Sequence, residues 1–176
     1  TTGTYNVAVG SSALDACTVG GRNVSIGHAS LTSDTQGSRA VALGYEALAT
    51  QNFTSVTDNY NIGIGFQAGY AVTTGTANVL VGGLAGDAIT TASNNVAMGH
   101  TSLGATTTGA NNIAIGADAL AANTTASNNT AVGKSALTAN TTGTSNVAVG
   151  ALSLDANTTA SYNTAVGEAS LSANTT

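Results

Sequence analysis

A glycine closing the pattern Asn-Val-Ala-Val-Gly returns at Gly10, Gly27, Gly44, Gly65, Gly82, Gly99, Gly116, Gly133, Gly150 and Gly167. Every step is 17 residues except Gly44 to Gly65, which is 21, and the four extra residues fall within QNFTSVTDNYN, residues 51–61. Ten copies fill the 176 residues, so the chain 1–176 reads as one repeat array. A unit this short has no core of its own and needs its neighbours to bury anything.

The columns of the repeat carry the fold. Asn stands four residues before the glycine in every copy except at Ala40, where a corner is expected. A three-residue strand follows, as in Val7-Ala8-Val9 and Ile113-Ala114-Ile115, with large residues on one face and Ala on the other. The large face is expected inside, as a core ladder of Val9, Ile26, Leu43, Ile64, Val81, Met98, Ile115, Val132, Val149 and Val166. The Ala face, apolar as well, then needs a cover from elsewhere.

After the glycine comes a column that accepts Ser11, His28, Tyr45, Phe66, Gly83, His100 and Lys134, which marks it as solvent-facing. Leu returns four residues after the glycine, replaced only by Gly69 and Gly86, and the Asn-Thr-Thr segment reads as an exposed corner. Units stacked about 4.8 Å apart would pair their backbones continuously. The fold class is therefore all-β, a parallel β-solenoid of ten 17-residue coils with one four-residue insertion. It would form a rod about 48 Å long. The chain begins at TTGTYN and stops at NTT, both in mid-coil, and is expected to be a fragment of a longer array.

Composition narrows the function. Only 6% of residues are charged and the net charge is −5, so there is no basic footprint for nucleic acid or anionic membrane. No stretch approaches the ~20 apolar residues of a membrane span. Cys17 is the single cysteine, which excludes an intrachain disulfide.

Catalytic motifs dissolve into the repeat. Gly133-Lys134-Ser135 has the end of a phosphate-binding loop, but Asn128 stands where the first glycine belongs, and Lys134 lies in the variable column. GIGFQAG, residues 63–69, is likewise one repeat unit. His28 and His100 lie four coils apart, about 19 Å, too far to share a metal. Asp15, Asp87 and Asp155 are spaced the same way, and Asp118 is placed to meet Lys134 across one coil step. No enzyme, cofactor or metal site is expected. An ion held by rings of Asn or Thr oxygens stays open, should several chains share an axis. The triplets Asn-x-Ser/Thr at Asn23, Asn52, Asn123, Asn128, Asn140, Asn157 and Asn174 would be glycan acceptors in a suitable host, or simply products of an Asn/Thr-rich repeat.

The element Asn-x-Val/Ile-Ala-Val/Ile-Gly-x-x-Ala/Ser, seen in Asn129–Ala136 and Asn146–Ser153, resembles the head repeats of trimeric autotransporter adhesins. The longer unit resembles repeats of phage tail fibres and bacterial surface appendages. The resemblance implies a left-handed, trimeric solenoid, a shaft or head displayed outside the cell or on a virion, with neighbouring chains covering the Ala face. It implies a homotrimer that meets a cell-surface receptor or glycan of unspecified kind. This unit is about three residues longer than the adhesin head repeat, so none of that family's receptor contacts are carried over.

Tyr45, Phe53, Tyr60, Phe66 and Tyr70 gather around the insertion, as a surface-binding band or as packing of the bulge on its own coil. The rival to an adhesive fibre is an ice-binding solenoid using Thr ladders. Adjacent threonines such as Thr124 and Thr125 should point to opposite faces, which leaves that reading without a flat pair of rows.

Overall fold

A computed structural model describes residues 2–175. It contains twelve short strands: β1 (Val7–Val9), β2 (Val24–Ile26), β3 (Gly37–Ser38), β4 (Val41–Leu43), β5 (Thr57–Asp58), β6 (Ile62–Ile64), β7 (Val79–Val81), β8 (Val96–Met98), β9 (Ile113–Ile115), β10 (Thr130–Val132), β11 (Val147–Val149) and β12 (Thr164–Val166). Ten of them form one parallel sheet in chain order, and β3 pairs with β5 in a second, two-stranded sheet. Registers are in step with the repeat, for example Thr130 opposite Val147 and Val132 opposite Val149. The chain is a parallel β-solenoid, and its backbone hydrogen bonds run along the stack from coil to coil.

Each coil turns through four positive-φ positions. The repeat glycine sits at φ 126–137°. Its missing Cβ is what lets the coils close, because a Cβ at Gly133 would lie 2.5 Å from the Gly150 carbonyl. The residues two and four after the glycine, and five before it, are left-handed with ordinary side chains, as in Ser135 (56°), Leu137 (51°) and Asn128 (64°). Such a backbone costs an L-residue about 1–2 kcal/mol. Burial and hydrogen bonds from the coils on either side must offset that cost.

The interior reverses the expected faces. Ala42, Ala97, Ala114, Ala131 and Ala148 are fully buried within the chain, whereas Val9 is 56% exposed and Ile26 40%. The ladder Val9, Ile26, Leu43, Ile64, Val81, Met98, Ile115, Val132, Val149 and Val166 therefore lies on the outer side of the sheet. The coil is too narrow for two facing rows of large side chains. Leu48, Leu103, Leu120, Leu137 and Leu154 already fill it from the opposite wall, leaving room only for Ala across from them. The chain covers its own Ala face.

Two coils test this packing rule. Gly69 and Gly86 replace the core Leu; Leu80 takes the Ala position in the second of these coils, where Gly63 stands in the first, and reaches over both glycines, while Val72 and Ile89 take a buried position elsewhere filled by Asn123, Asn140 or Asn157. A Cβ at Gly69 would meet Leu80 at 2.6 Å, and one at Gly86 would meet Leu80 at 2.7 Å. Volume removed at one column returns at two others.

The buried asparagines form ladders. Asn112 Oδ1 accepts the Asn129 backbone N–H (3.0 Å), and Asn112 Nδ2 donates to the Ala126 carbonyl (2.9 Å) and to Asn95 Oδ1 (3.2 Å). A second ladder runs through the Asn of the Asn-Thr-Thr segment, where Asn157 Nδ2 donates to Asn140 Oδ1 (3.0 Å). That corner was expected outside; its asparagine is buried because the turn carbonyls it bonds have no water to turn to.

A period of two coils is superimposed on the 17. The turn reads Gly75-Thr76, Ala92-Ser93, Gly109-Ala110, Ala126-Ser127, Gly143-Thr144, Ala160-Ser161. In each pair the serine Oγ of the second coil accepts the backbone N–H at the same position of the first: Thr76 to Ser93 (3.0 Å), Ala110 to Ser127 (3.0 Å), Thr144 to Ser161 (2.9 Å). The structural unit there is 34 residues.

Candidate binding surface

No closed pocket is present among the described residues. What the chain offers a partner is the relief of a rod. Along each coil, burial alternates from the residue five before the glycine through the strand, so side chains at that position, on both ends of the strand and just after the glycine all emerge on one side. This side carries mostly Val and Ile in its two middle rows, with Leu43, Met98, Thr130 and Thr164 among them, and different chemistry in its two flanking rows.

The flanking row after the glycine holds an aromatic stack. His28, Tyr45 and Phe66 lie in successive coils with ring centroids 5.1 and 5.6 Å apart and planes tilted by 12° and 13°. The coil spacing sets this geometry, since neighbouring rows of a sheet are about 4.8 Å apart. Beside it Gln67 Nε2 donates to Glu46 Oε2 (2.7 Å). A hydrogen bond with that Glu46 carboxylate raises the Tyr45 pKa above the usual phenol value.

The opposite flanking row is Tyr5, Arg22, Arg39 and Tyr60. Arg22 lies 5.5 Å from the Tyr5 ring centre and Arg39 5.8 Å from that of Tyr60, within cation–π range. Arg39 Nε also meets Asp58 Oδ1 at 2.9 Å, the one salt bridge among the described residues. Its partner comes from the insertion. The chain shifts register between Asn52, which accepts from Thr35 17 residues back, and Thr57, paired with Gly37 20 residues back. Thr54, Ser55 and Val56 form the exposed bulge between them.

The five aromatics of the expected band separate accordingly. Tyr45 and Phe66 stack, and Tyr70 is exposed. Tyr60 stands on the other flank. Phe53 is only 6% exposed and packs under the bulge, where Asp34 Oδ1 accepts its backbone N–H (3.3 Å). Sequence gave no signal for that difference, because the insertion breaks the register by which inward and outward positions are counted. Asp34 is itself buried, held also by Gly37 N–H (2.8 Å) and Gln51 Nε2 (2.6 Å).

Other expected residues fall as follows. No group of His, Cys, Asp and Glu able to hold a metal occurs among the described residues. Asp118 is engaged by the Thr101 hydroxyl of the preceding coil, not by Lys134. Cys17 is partly buried, and that burial raises its thiol pKa. Of the Asn-x-Ser/Thr sites, Asn23, Asn123, Asn140 and Asn157 are buried, and Asn52 and Asn128 are exposed. Thr124 Oγ1 donates to the Thr141 carbonyl (3.3 Å), and Thr73, Thr90, Thr107 and Thr141 do the same one coil on. The adjacent row, Thr74, Thr91, Thr108, Thr125, Thr142 and Thr159, is exposed. No family model, curated protein or solved structure matches this chain.

Proposed function

We propose that the chain is a structural and adhesive fibre module, a segment of a trimeric shaft or head that carries attachment to a host or surface, on a phage tail fibre or a bacterial surface. It is not an enzyme in this reading. The observation that carries it is the outward Val/Ile face. The two rows cover about 13 Å of width, so ten coils give an apolar strip of about 48 by 13 Å, on the order of 600 Å², at the upper end of the patches a monomer leaves exposed. An apolar surface of that size on a rigid rod is costly to leave in water, and three side-by-side copies would cover it. Each chain would then add its flanking rows to one multivalent surface.

Sedimentation equilibrium tests the assembly. Three times the 16.9 kDa chain mass is expected. Ile113→Glu with Ile115→Glu should reduce it to one chain with the β-sheet circular dichroism unchanged, because both side chains stand outside the coil. A monomeric parent protein defeats the proposal. One observation favours ice binding instead, namely the regular exposed row from Thr74 to Thr159. The neighbouring hydroxyls are spent on backbone carbonyls, so the row stands single, and thermal hysteresis in the parent protein would be needed to prefer that reading.

A further inference from the structure

The aromatic stack ends in an empty rung. Phe66 has one ring face against Tyr45, and in the next coil its row is occupied by Gly83, with His100 one coil beyond. A Cβ placed on Gly83 would meet His100 Cδ2 at 3.7 Å and nothing else within 4 Å, so the His100 ring leans over one side of this glycine while its Phe66 side is open. Two coil steps separate the Phe66 and His100 rungs, about 9.6 Å. Because His100 leans toward the Gly83 rung, the gap between the two side chains is narrower than about 9.6 Å and takes one flat ring in contact with both walls. Phe66 is 53% exposed, so its free face is reachable from solvent.

We infer that the gap over Gly83 is a binding slot for one neutral pyranose ring of a surface glycan, with Phe66 and His100 as its walls. The inference rests on the attachment role proposed above and supplies its ligand class. Polar side chains stand on the rungs on either side of the slot: Gln67 follows Phe66 and Thr101 follows His100, bonded outward to Glu46 and Asp118, and a sugar hydroxyl would compete for these bonds. Leu84 lies between them beside the floor. The carboxylates Glu46 and Asp118 each lie two coils from Gly83, about 9.6 Å along the stack, beyond hydrogen-bond reach of a ring in the slot but close enough, together with the chain's net charge of −5, to disfavour an anion there. That is why a neutral sugar is assigned rather than an acidic one.

Amide resonances of the 15N-labelled chain, titrated with the methyl glycosides of glucose, galactose and mannose, test this, with N-acetylneuraminic acid as the anionic control. Saturable shifts at Gly83, Leu84 and His100 are expected with at least one neutral glycoside. Phe66→Ala should weaken binding about tenfold, the size expected from losing one stacked face. Gly83→Leu should abolish it by filling the slot, and Gly83 is not at a positive φ, so the side chain is tolerated. Absence of shifts with all three glycosides, unchanged affinity in both variants, or a response to the acidic sugar alone overturns the inference. Cell attachment separates it from the wider proposal: a trimer whose attachment survives Phe66→Ala removes the slot and leaves the fibre, and a monomer that binds glycoside at these residues keeps the slot and removes the fibre.

Discussion

A single carboxylate shows how sparingly this chain uses charge. Asp87 shares a column with Asp15 and Asp155, one member of the column every four coils. Partial burial raises the Asp87 pKa above the ordinary carboxylate value, against the lowering effect of its own backbone N–H and that of Ala88. The native state thus holds this proton more tightly than the unfolded chain does, and stability falls as pH rises through the two pKa values. Asp87→Asn removes the ionisable group. Calorimetry should find the variant melting above the parent near pH 7, with the difference fading below about pH 3, where both states are protonated; a constant difference would show that charge is not the cause. Exposed residues such as Tyr45 and Phe66 were legible because their column tolerates anything. Asp87 and Phe53 were not, because burial in a coil this thin depends on turns that a residue's type does not disclose.

At the scale of one coil, the strand pattern specified pairing and a 17-residue register, and the structure has both. It could not specify which face is inside. Both faces are apolar, and alternation alone is symmetric; the narrow interior, already occupied by Leu120 and its equivalents, breaks the tie in favour of Ala. The doubled period was visible as alternating Gly and Ala, yet its meaning required the Ser127 hydroxyl and the carbonyl path. A Cβ at Gly109 would lie 2.3 Å from the Ala126 carbonyl oxygen. Gly109→Ala should therefore destabilise by about 1–3 kcal/mol, as overpacking does. Ala126→Gly, at the same column one coil on, meets no such clash and should cost only about 0.5–1 kcal/mol through added chain freedom. Urea unfolding of the two variants, compared side by side, measures the asymmetry; equal losses would mean that the two kinds of turn are interchangeable.

Over the whole molecule, cohesion comes from ladders of neutral groups. Stacking sets every column against its own copy, so a repeated charge would repel itself at each step, and Asn, Thr and Ala avoid the conflict. With Arg39–Asp58 as the one ion pair among the described residues, and that pair at the surface, screening has little to act on. The thermal midpoint should be nearly flat from low salt to about 0.5 M NaCl, where the Debye length is already only a few ångström. A steep loss would point to electrostatic contacts beyond this pair. The solenoid was legible at this scale because repetition multiplies a weak signal tenfold, whereas partners leave no such periodic trace.

The direction of the backbone hydrogen bonds has a mechanical outcome. They lie along the rod, so tension applied to its two ends pulls against them head-on; every junction carries the same load, and they give way one at a time. Each coil that opens pays out 17 residues, about 55 Å of chain, in place of a 4.8 Å step. Under shear such a tether lengthens in a staircase, dissipating work at every tread while the coils still closed keep their shape.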